Sequence, residues 1–377
     1  MQGFQFVSGR VCLPFYSDER VQEVLKQVDE YQKQETFNEA QQSKLKELMD
    51  KIRSVQIVRS IGRSRFFEVK HSLVPEKKLF LKVSKKDDSI SNMLTSNEVK
   101  ILEVLNRKEI ETGESYVSTL LAKFTLKDQR IALLMPLYNG DLFEAIPEEG
   151  FSEKRSLKFL KTMLEILCFI KRHGVLHLDI KPENILLDID GTPRLGDFDL
   201  SVFEGEGLSS GYRGTLEFSP PEAVISSSYG FYSDIFSTGV SVCQAYLGDR
   251  TLFGERDPTA PENPSGIKLG STPIETVRNI FVMQQKRAKK EYSESLKQAA
   301  IQTGKEQLLC DPSEFEWGVS FEELMDAKYR TKDSDPRVFA LLQDALKQML
   351  ELDFQGRASA ESILEQLDRD CEEIELG

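Results

Sequence analysis

The densest chemistry in the chain lies in His177-Leu178-Asp179-Ile180-Lys181-Pro182-Glu183-Asn184. Eighteen residues after Asp179 comes Asp197-Phe198-Asp199. The first run offers a carboxylate, an amine two residues later and an amide five residues later. In a loop, such groups can converge on one volume. A carboxylate can orient a hydroxyl and accept its proton, and an amine can neutralise a transferring phosphoryl group. An amide oxygen and a second carboxylate are the hard ligands that Mg²⁺ takes. A polar loop without chemical purpose is the competing reading. The combination of residue types at these spacings argues against it.

The elements that must position these groups follow from periodicity. Residues 17–54 read as two helices. Ser17 is a candidate cap, followed by Asp18 and Glu19, and then by Val21, Val24, Leu25 and Val28 at helical spacing. Leu45, Leu48, Met49 and Ile52 repeat the pattern in the second helix. From Val55 the period changes. VQIVRSIG, FFEVKHSL and KKLFLKVSK are short β-prone runs, and IALLMPL is a buried strand. Asn97–Asn106 is helical, with Val99, Leu102 and Leu105 on one face. Beyond Gly140 the chain reads as mostly helical, with a loop-rich region from Leu176 to Glu222.

Composition excludes several classes. Apolar residues are 40% and charged residues 29%, which is globular rather than disordered. A net charge of −13 argues against a nucleic-acid-coating protein. No apolar run approaches the ~18 residues needed to cross a bilayer, and MQGFQFVSGR does not read as a signal peptide. The five cysteines are scattered with no CxxC pair, so neither a zinc site nor a disulfide framework is expected. A reducing, cytoplasmic setting follows, with secretion by a signal-less route left open.

HLDIKPEN and DFD resemble the catalytic loop and metal motif of the eukaryotic-type Ser/Thr protein kinase family. Further segments resemble it in the family's order. Lys82 in LFLKVSK and Glu98 in NEVKILEVL match the strand lysine and its helix glutamate. GTLEFSPPEA matches the segment ending at Glu222, SDIFSTGV places Asp234, and LDFQGRASAESIL places Arg357. The resemblance covers about residues 55–370.

It implies a bilobal α+β fold: a small antiparallel β lobe with one main helix, and a larger, mostly helical lobe. The expected division is an N-terminal helical extension at 1–54, a small lobe at 55–137, a large lobe at 138–370 and an acidic tail at 371–377. Asp234 and Arg357 lie 123 positions apart, which implies an insertion or remodelled helices near 251–335.

The resemblance also implies ATP and Mg²⁺ as cofactors, with transfer to Ser or Thr hydroxyls. Asp179 would orient the hydroxyl, Lys181 would steady the phosphoryl group, and Asn184 and Asp197 would bind Mg²⁺. Lys82, paired with Glu98, would contact the α/β-phosphates. Gly62, Ser64, Val69, Met135 and Leu137 would line the nucleotide site. Thr215 would support the loop beneath Asp179. Glu222, Asp234, Arg357, His173 and His177 would be structural.

The pattern is broken in three places. The phosphate-covering loop reads Gly62-Arg63-Ser64-Arg65-Phe66-Phe67-Glu68-Val69, keeping only its first glycine and its valine. Phe67 either packs under the loop or crowds the phosphates. Arg63 and Arg65 either add charge to the site or are simply solvated. Asp199 replaces the glycine of D-F-G, either as a tolerated change or as a further carboxylate for metal or water. Leu178 replaces the arginine that in many relatives binds a phosphate on the activation loop. That loop carries Glu204 and Glu206, so activity is expected not to need phosphorylation of Ser209, Ser210 or Tyr212.

Charge is uneven along the chain. Residues 55–135 hold 15 basic and 10 acidic side chains, and residues 136–377 hold 26 and 43. The acidic excess in the large lobe either favours basic protein substrates or serves ordinary solubility. Two other readings remain open: a pseudokinase binding or scaffold module, and a kinase-fold enzyme that acts on a small molecule or transfers AMP. The sequence does not specify oligomeric state.

Overall fold

Alternating and continuous apolar runs between Phe6 and Pro136 fold into one antiparallel sheet, with three helices interleaved among its strands. In a computed structural model, the described residues are 6–11, 19–32, 39–52, 54–62, 65–206, 213–215, 218–248, 290–304, 335–351 and 353–373. They divide into two units, Met1–Asn139 with Gly196–Asp199, and Gly140–Leu195 with Leu200–Gly377. Ser17, Arg63, Ser64, Ser209, Ser210, Tyr212, most of 251–335 and the end of the acidic tail lie outside the described residues.

The first unit contains β1 (Phe6–Val11), β2 (Val55–Ser60), β3 (Phe66–His71), β4 (Leu79–Val83), β5 (Ala122–Leu126) and β6 (Ile131–Pro136). Their order across the sheet is β1-β5-β6-β4-β3-β2, and every pairing is antiparallel. In β4, Leu79, Leu81 and Val83 share one face and are fully buried with Val69, Phe124 and Leu134. Burying each such side chain contributes about 1.5–3 kcal/mol. Lys82 takes the opposite face, as the strand period of two requires.

Helices α1 (Glu19–Gln32) and α2 (Glu39–Ile52) pack on this sheet. Val28 and Leu48 enter its core, and Val24 and Met49 flank it. Helix α3 (Ser89–Thr112) is longer than periodicity predicts. It begins at Asp88, whose side chain accepts the Ser91 N–H, and stops at Gly113, with φ +76°. Strand β1 is absent from the sequence reading. It pairs with β5, more than a hundred residues away along the chain.

The second unit holds α4 (Leu142–Ala145), α5 (Glu153–Arg172), β7 (Val175–Leu176), β8 (Ile185–Leu187), β9 (Pro193–Leu195), β10 (Val202–Phe203), α6 (Pro221–Ser226), α7 (Phe231–Leu247), α8 (Lys290–Gln302), α9 (Pro336–Met349) and α10 (Ala360–Glu373). Strands β8 and β9 form one small pair, and β7 and β10 another. Helix α5 is capped by Ser152 and buries Leu160, Met163, Leu164 and Ile170. Helices α7, α9 and α10 pack against it. Within the long segment after α7, α8 is described, and it packs against α6.

Candidate active site

In the first unit, β4 presents Lys82 to two carboxylates. Its Nζ lies 2.6 Å from Glu98 Oε2 on α3 and 2.5 Å from Asp197 Oδ1. The lysine and glutamate side chains are 5% and 1% exposed, so water does not compete for the pair. Burial pushes the ammonium pKa down. The charges of Asp197, Glu98 and Asp199 outweigh it and hold the value above that of an ordinary lysine. Burial pushes the Glu98 carboxyl up, against the pull of Lys82. The result is a positive charge fixed in place by elements far apart in sequence.

In the second unit, the chain from β7 to β8 carries His177 to Asn184. Asp234, at the start of α7, accepts the His177 N–H at 2.7 Å and the Leu178 N–H at 2.8 Å. Burial pushes the Asp234 carboxyl up, while the nearby His177 ring and these two backbone bonds oppose the rise. Leu178 takes φ +67°, in the left-handed region that few side chains adopt. His177 is fully buried and its Nδ1 accepts the Asp179 N–H at 3.3 Å, so it shapes the loop backbone.

Asp179 then stands in a web of partners. Its Oδ1 accepts the Thr215 hydroxyl at 2.7 Å, and its Oδ2 accepts Asn184 Nδ2 at 3.0 Å. Lys181 Nζ lies 3.1 Å from Asp179 Oδ2 and donates to Thr215 Oγ1 at 2.8 Å. Asn184 Nδ2 also donates to the Asp179 carbonyl at 2.8 Å. These bonds use the amide nitrogen, so the Asn184 carbonyl oxygen takes no part in them. Gly214 makes the approach of Thr215 feasible. Its φ is +97°, and a Cβ there would sit 2.4 Å from the Leu178 carbonyl oxygen.

Residues 55–367 match the protein kinase domain family. The chain belongs to the eukaryotic-type Ser/Thr protein kinase family. Among its relatives, the Aurora kinase of Schizosaccharomyces pombe is 31% identical over 196 residues, 51% of this chain and 54% of that protein. The Aurora kinase of Yarrowia lipolytica is 28% identical over 198 residues, 51% of this chain and 52% of its own length. The human dual specificity tyrosine-phosphorylation-regulated kinase 3 is 29% identical over 208 residues, 53% of this chain and 34% of that protein. The chain thus spans about half or less of the curated relatives it matches. A solved structure, the CAK complex of Chaetomium thermophilum bound to ATP-γ-S, superposes with a TM-score of 0.61 at 21% identity. It covers 89% of this chain and 95% of the other, a likeness of fold.

In this kinase the buried Glu222–Arg357 pair expected from sequence is present. Arg357 Nη1 and Nη2 lie 2.7 and 3.3 Å from the two Glu222 oxygens. Arg357 also donates to the Tyr232 and Glu351 carbonyls.

The three departures resolve differently. Leu178 is 7% exposed and packs with Leu176, Val202, Tyr229 and Phe231. An apolar contact therefore occupies the place of the family's arginine. Asp199 lies in a 3₁₀ turn, Phe198–Leu200, and is not among the described residues with positive φ, whereas Asp197 is, at +60°. At Asp199 the backbone makes no demand for glycine, and Asn97 Nδ2 holds its carbonyl at 3.1 Å.

In the phosphate-covering loop, Gly62 has φ +56° and open space around it. Phe67 packs against the core of the sheet, which settles the choice between the two placements the sequence left open. Val69 requires a correction. It is fully buried in that core, opposite Leu79 in register, on the face away from Lys82. Glu68, not Val69, pairs with Phe80 on the Lys82 side. Counting along a loop with altered glycines put the valine on the wrong face, because a step of one residue exchanges the faces of a strand. Met135 lies opposite Phe80 in the β4–β6 register. Leu137 gives its N–H to the Lys78 carbonyl at 3.0 Å, which commits its backbone donor.

Proposed function

We propose that this kinase is active and transfers the γ-phosphoryl group of ATP to Ser or Thr hydroxyls of protein substrates. The arrangement around Asp179 carries the reading. A carboxylate held by Thr215, Asn184 and Lys181 is oriented, which a proton acceptor requires. Asp179 receives and orients the substrate hydroxyl. Lys181 neutralises charge on the group in transit, and Lys82 does so at the α/β-phosphates while Glu98 fixes it. Gly62, Met135 and Leu137 bound the nucleotide. Ser64, outside the described residues, stays part of the proposal.

The donor set fits Mg²⁺. Asp197 offers a carboxylate with its side chain 36% exposed, and Asn184 an amide oxygen; both are hard ligands. Bound there, the ion would supply charge neutralisation at the β- and γ-phosphate oxygens.

The acidic excess of residues 136–377, 43 acidic against 26 basic side chains, supports a basic protein substrate and speaks against nucleic acid. No helix of the described residues is long and apolar enough to cross a membrane. Five scattered cysteines with no CxxC pair support action in the cytoplasm.

The test is incubation with γ-labelled ATP, Mg²⁺ and mixed proteins, alongside Asp179→Ala and Asp197→Ala. Label on Ser or Thr that disappears in both variants supports the proposal. Nucleotide binding without transfer would make the chain a scaffold. Label carried only from the α-phosphate would make it an AMP transferase.

A further inference from the structure

Arg65, at the entry to β3, has no part in the assignments above. Its guanidinium carbon lies over the Phe66 ring, 4.8 Å from the centroid. Phe66 in turn meets Phe80, with ring centroids 5.6 Å apart and planes tilted by 34°. Phe66 stands directly opposite Lys82 in the β3–β4 register, so the ring and the amine share one face of the sheet. The Arg65 carbonyl accepts the Val83 N–H at 2.9 Å, which ties its backbone to the strand that carries Lys82. Arg65 Nε is buried and has no hydrogen-bond acceptor among the described residues. A buried guanidinium donor is unfavourable until something supplies an acceptor.

We propose that Arg65 is a phosphate-binding residue of the nucleotide site. Stacked on Phe66, it offers guanidinium donors to phosphate oxygens in place of the backbone N–H groups that the missing loop glycines would have freed. Two observations point to a phosphate rather than to an arbitrary acceptor. The ring beneath the guanidinium shares the face of Lys82, and the residue follows Gly62 by three positions in the segment that matches the phosphate-covering loop. A planar fork matches phosphate geometry better than an ammonium does. The aromatic seat limits the freedom the side chain loses on binding. The Phe66–Phe80 pair is then the support that holds the cation ready. This inference rests on the kinase reading and adds a ligand contact which that reading lacks.

The experiment is calorimetric titration of the full chain with Mg²⁺-ATP and, separately, with adenosine. Wild type is compared with Arg65→Gln and Arg65→Met. Methionine keeps apolar packing over Phe66, and it decides the matter where glutamine lowers the melting temperature. Loss of one charge-assisted contact predicts ATP affinity weaker by roughly tenfold or more, with adenosine affinity unchanged. Phe66→Leu, which removes the seat, is expected to lower ATP affinity by less. Equal ATP affinity in wild type and both Arg65 variants overturns the proposal, as does an equal loss for ATP and adenosine. In those cases a wild type that still transfers phosphate leaves the kinase reading standing. A wild type that binds no nucleotide sinks both.

Discussion

Thr215→Val isolates what the activation segment does for Asp179. The substitution is close to isosteric, so packing changes little. It removes the donor to Asp179 Oδ1, made at 2.7 Å, and the acceptor for Lys181 Nζ, at 2.8 Å. Asp179 is 9% exposed, so water cannot readily take the hydroxyl's place. A hydrogen bond to a charged group is worth about 1.5–3 kcal/mol. Asn184 and Lys181 still hold Oδ2, so the carboxylate stays in the site but can rotate about that anchor. If most of the lost energy falls on the transition state, kcat drops about 10- to 100-fold. The KM for ATP should hold, because Lys82 and Glu98 belong to the other unit. Thr215→Ser keeps the hydroxyl and should keep a rate near wild type. Steady-state kinetics of the three proteins, with thermal melts as controls, decide the matter. A valine variant with wild-type kcat, or one whose whole defect lies in KM for ATP, refutes the reasoning.

Three further outcomes follow from the same geometry. Arg357→Ala leaves the buried Glu222 charge uncompensated and should cost about 3–5 kcal/mol in denaturant unfolding, whereas replacing both residues with methionine should cost less than Arg357→Ala alone. Replacing Ser209 and Ser210 by Ala and Tyr212 by Phe should leave turnover intact, since Leu178 packs against apolar neighbours; turnover abolished with folding and ATP binding retained would contradict this. Burial pushes the Cys168 thiol up to about 11, so at pH 8 only about a thousandth is thiolate. Site-resolved mass spectrometry should therefore find slow alkylation that climbs with pH toward 11, and labelling at pH 8 as fast as that of free cysteine would argue against it.

Legibility in the sequence followed the range of the interaction. Lys82 and Glu98 were readable because each sits in a short motif with its own element, and the structure joins them at 2.6 Å. Asp179, Asn184 and Lys181 were readable because six consecutive residues, Asp179 to Asn184, hold them all. Strand β1 was not, because its pairing with β5 is set by contacts across the chain rather than by its own pattern. The early start of α3 was missed because the apolar Ile90 and Met93 of its first turns face solvent rather than the core, and its signal is a single cap, Asp88. The buried seat of Asp234 beneath the loop carries no periodic mark; only the family resemblance singled that residue out.

The glycine loop shows how a break in a motif differs from the loss of a function. Loop glycines matter because they let backbone N–H groups reach phosphate. Strand pairing here runs to Ser60 and Phe67, and the Ile61 N–H bonds the Phe66 carbonyl at 2.8 Å, so the flanking strands stay paired with one glycine between them. What is lost is donors, not the strand pairing. Phe67, the largest departure by volume, faces the core, and Val69, the residue that matches, faces it too. The residues that do face the Lys82 side are Phe66, Glu68 and Phe80, and Arg65 lies over the first of them. A strand exposes side chains where a loop exposes backbone. A nucleotide site that has given up its glycines at this strand must draw phosphate contacts from side chains of that face, and the guanidinium over Phe66 is a cation held against it.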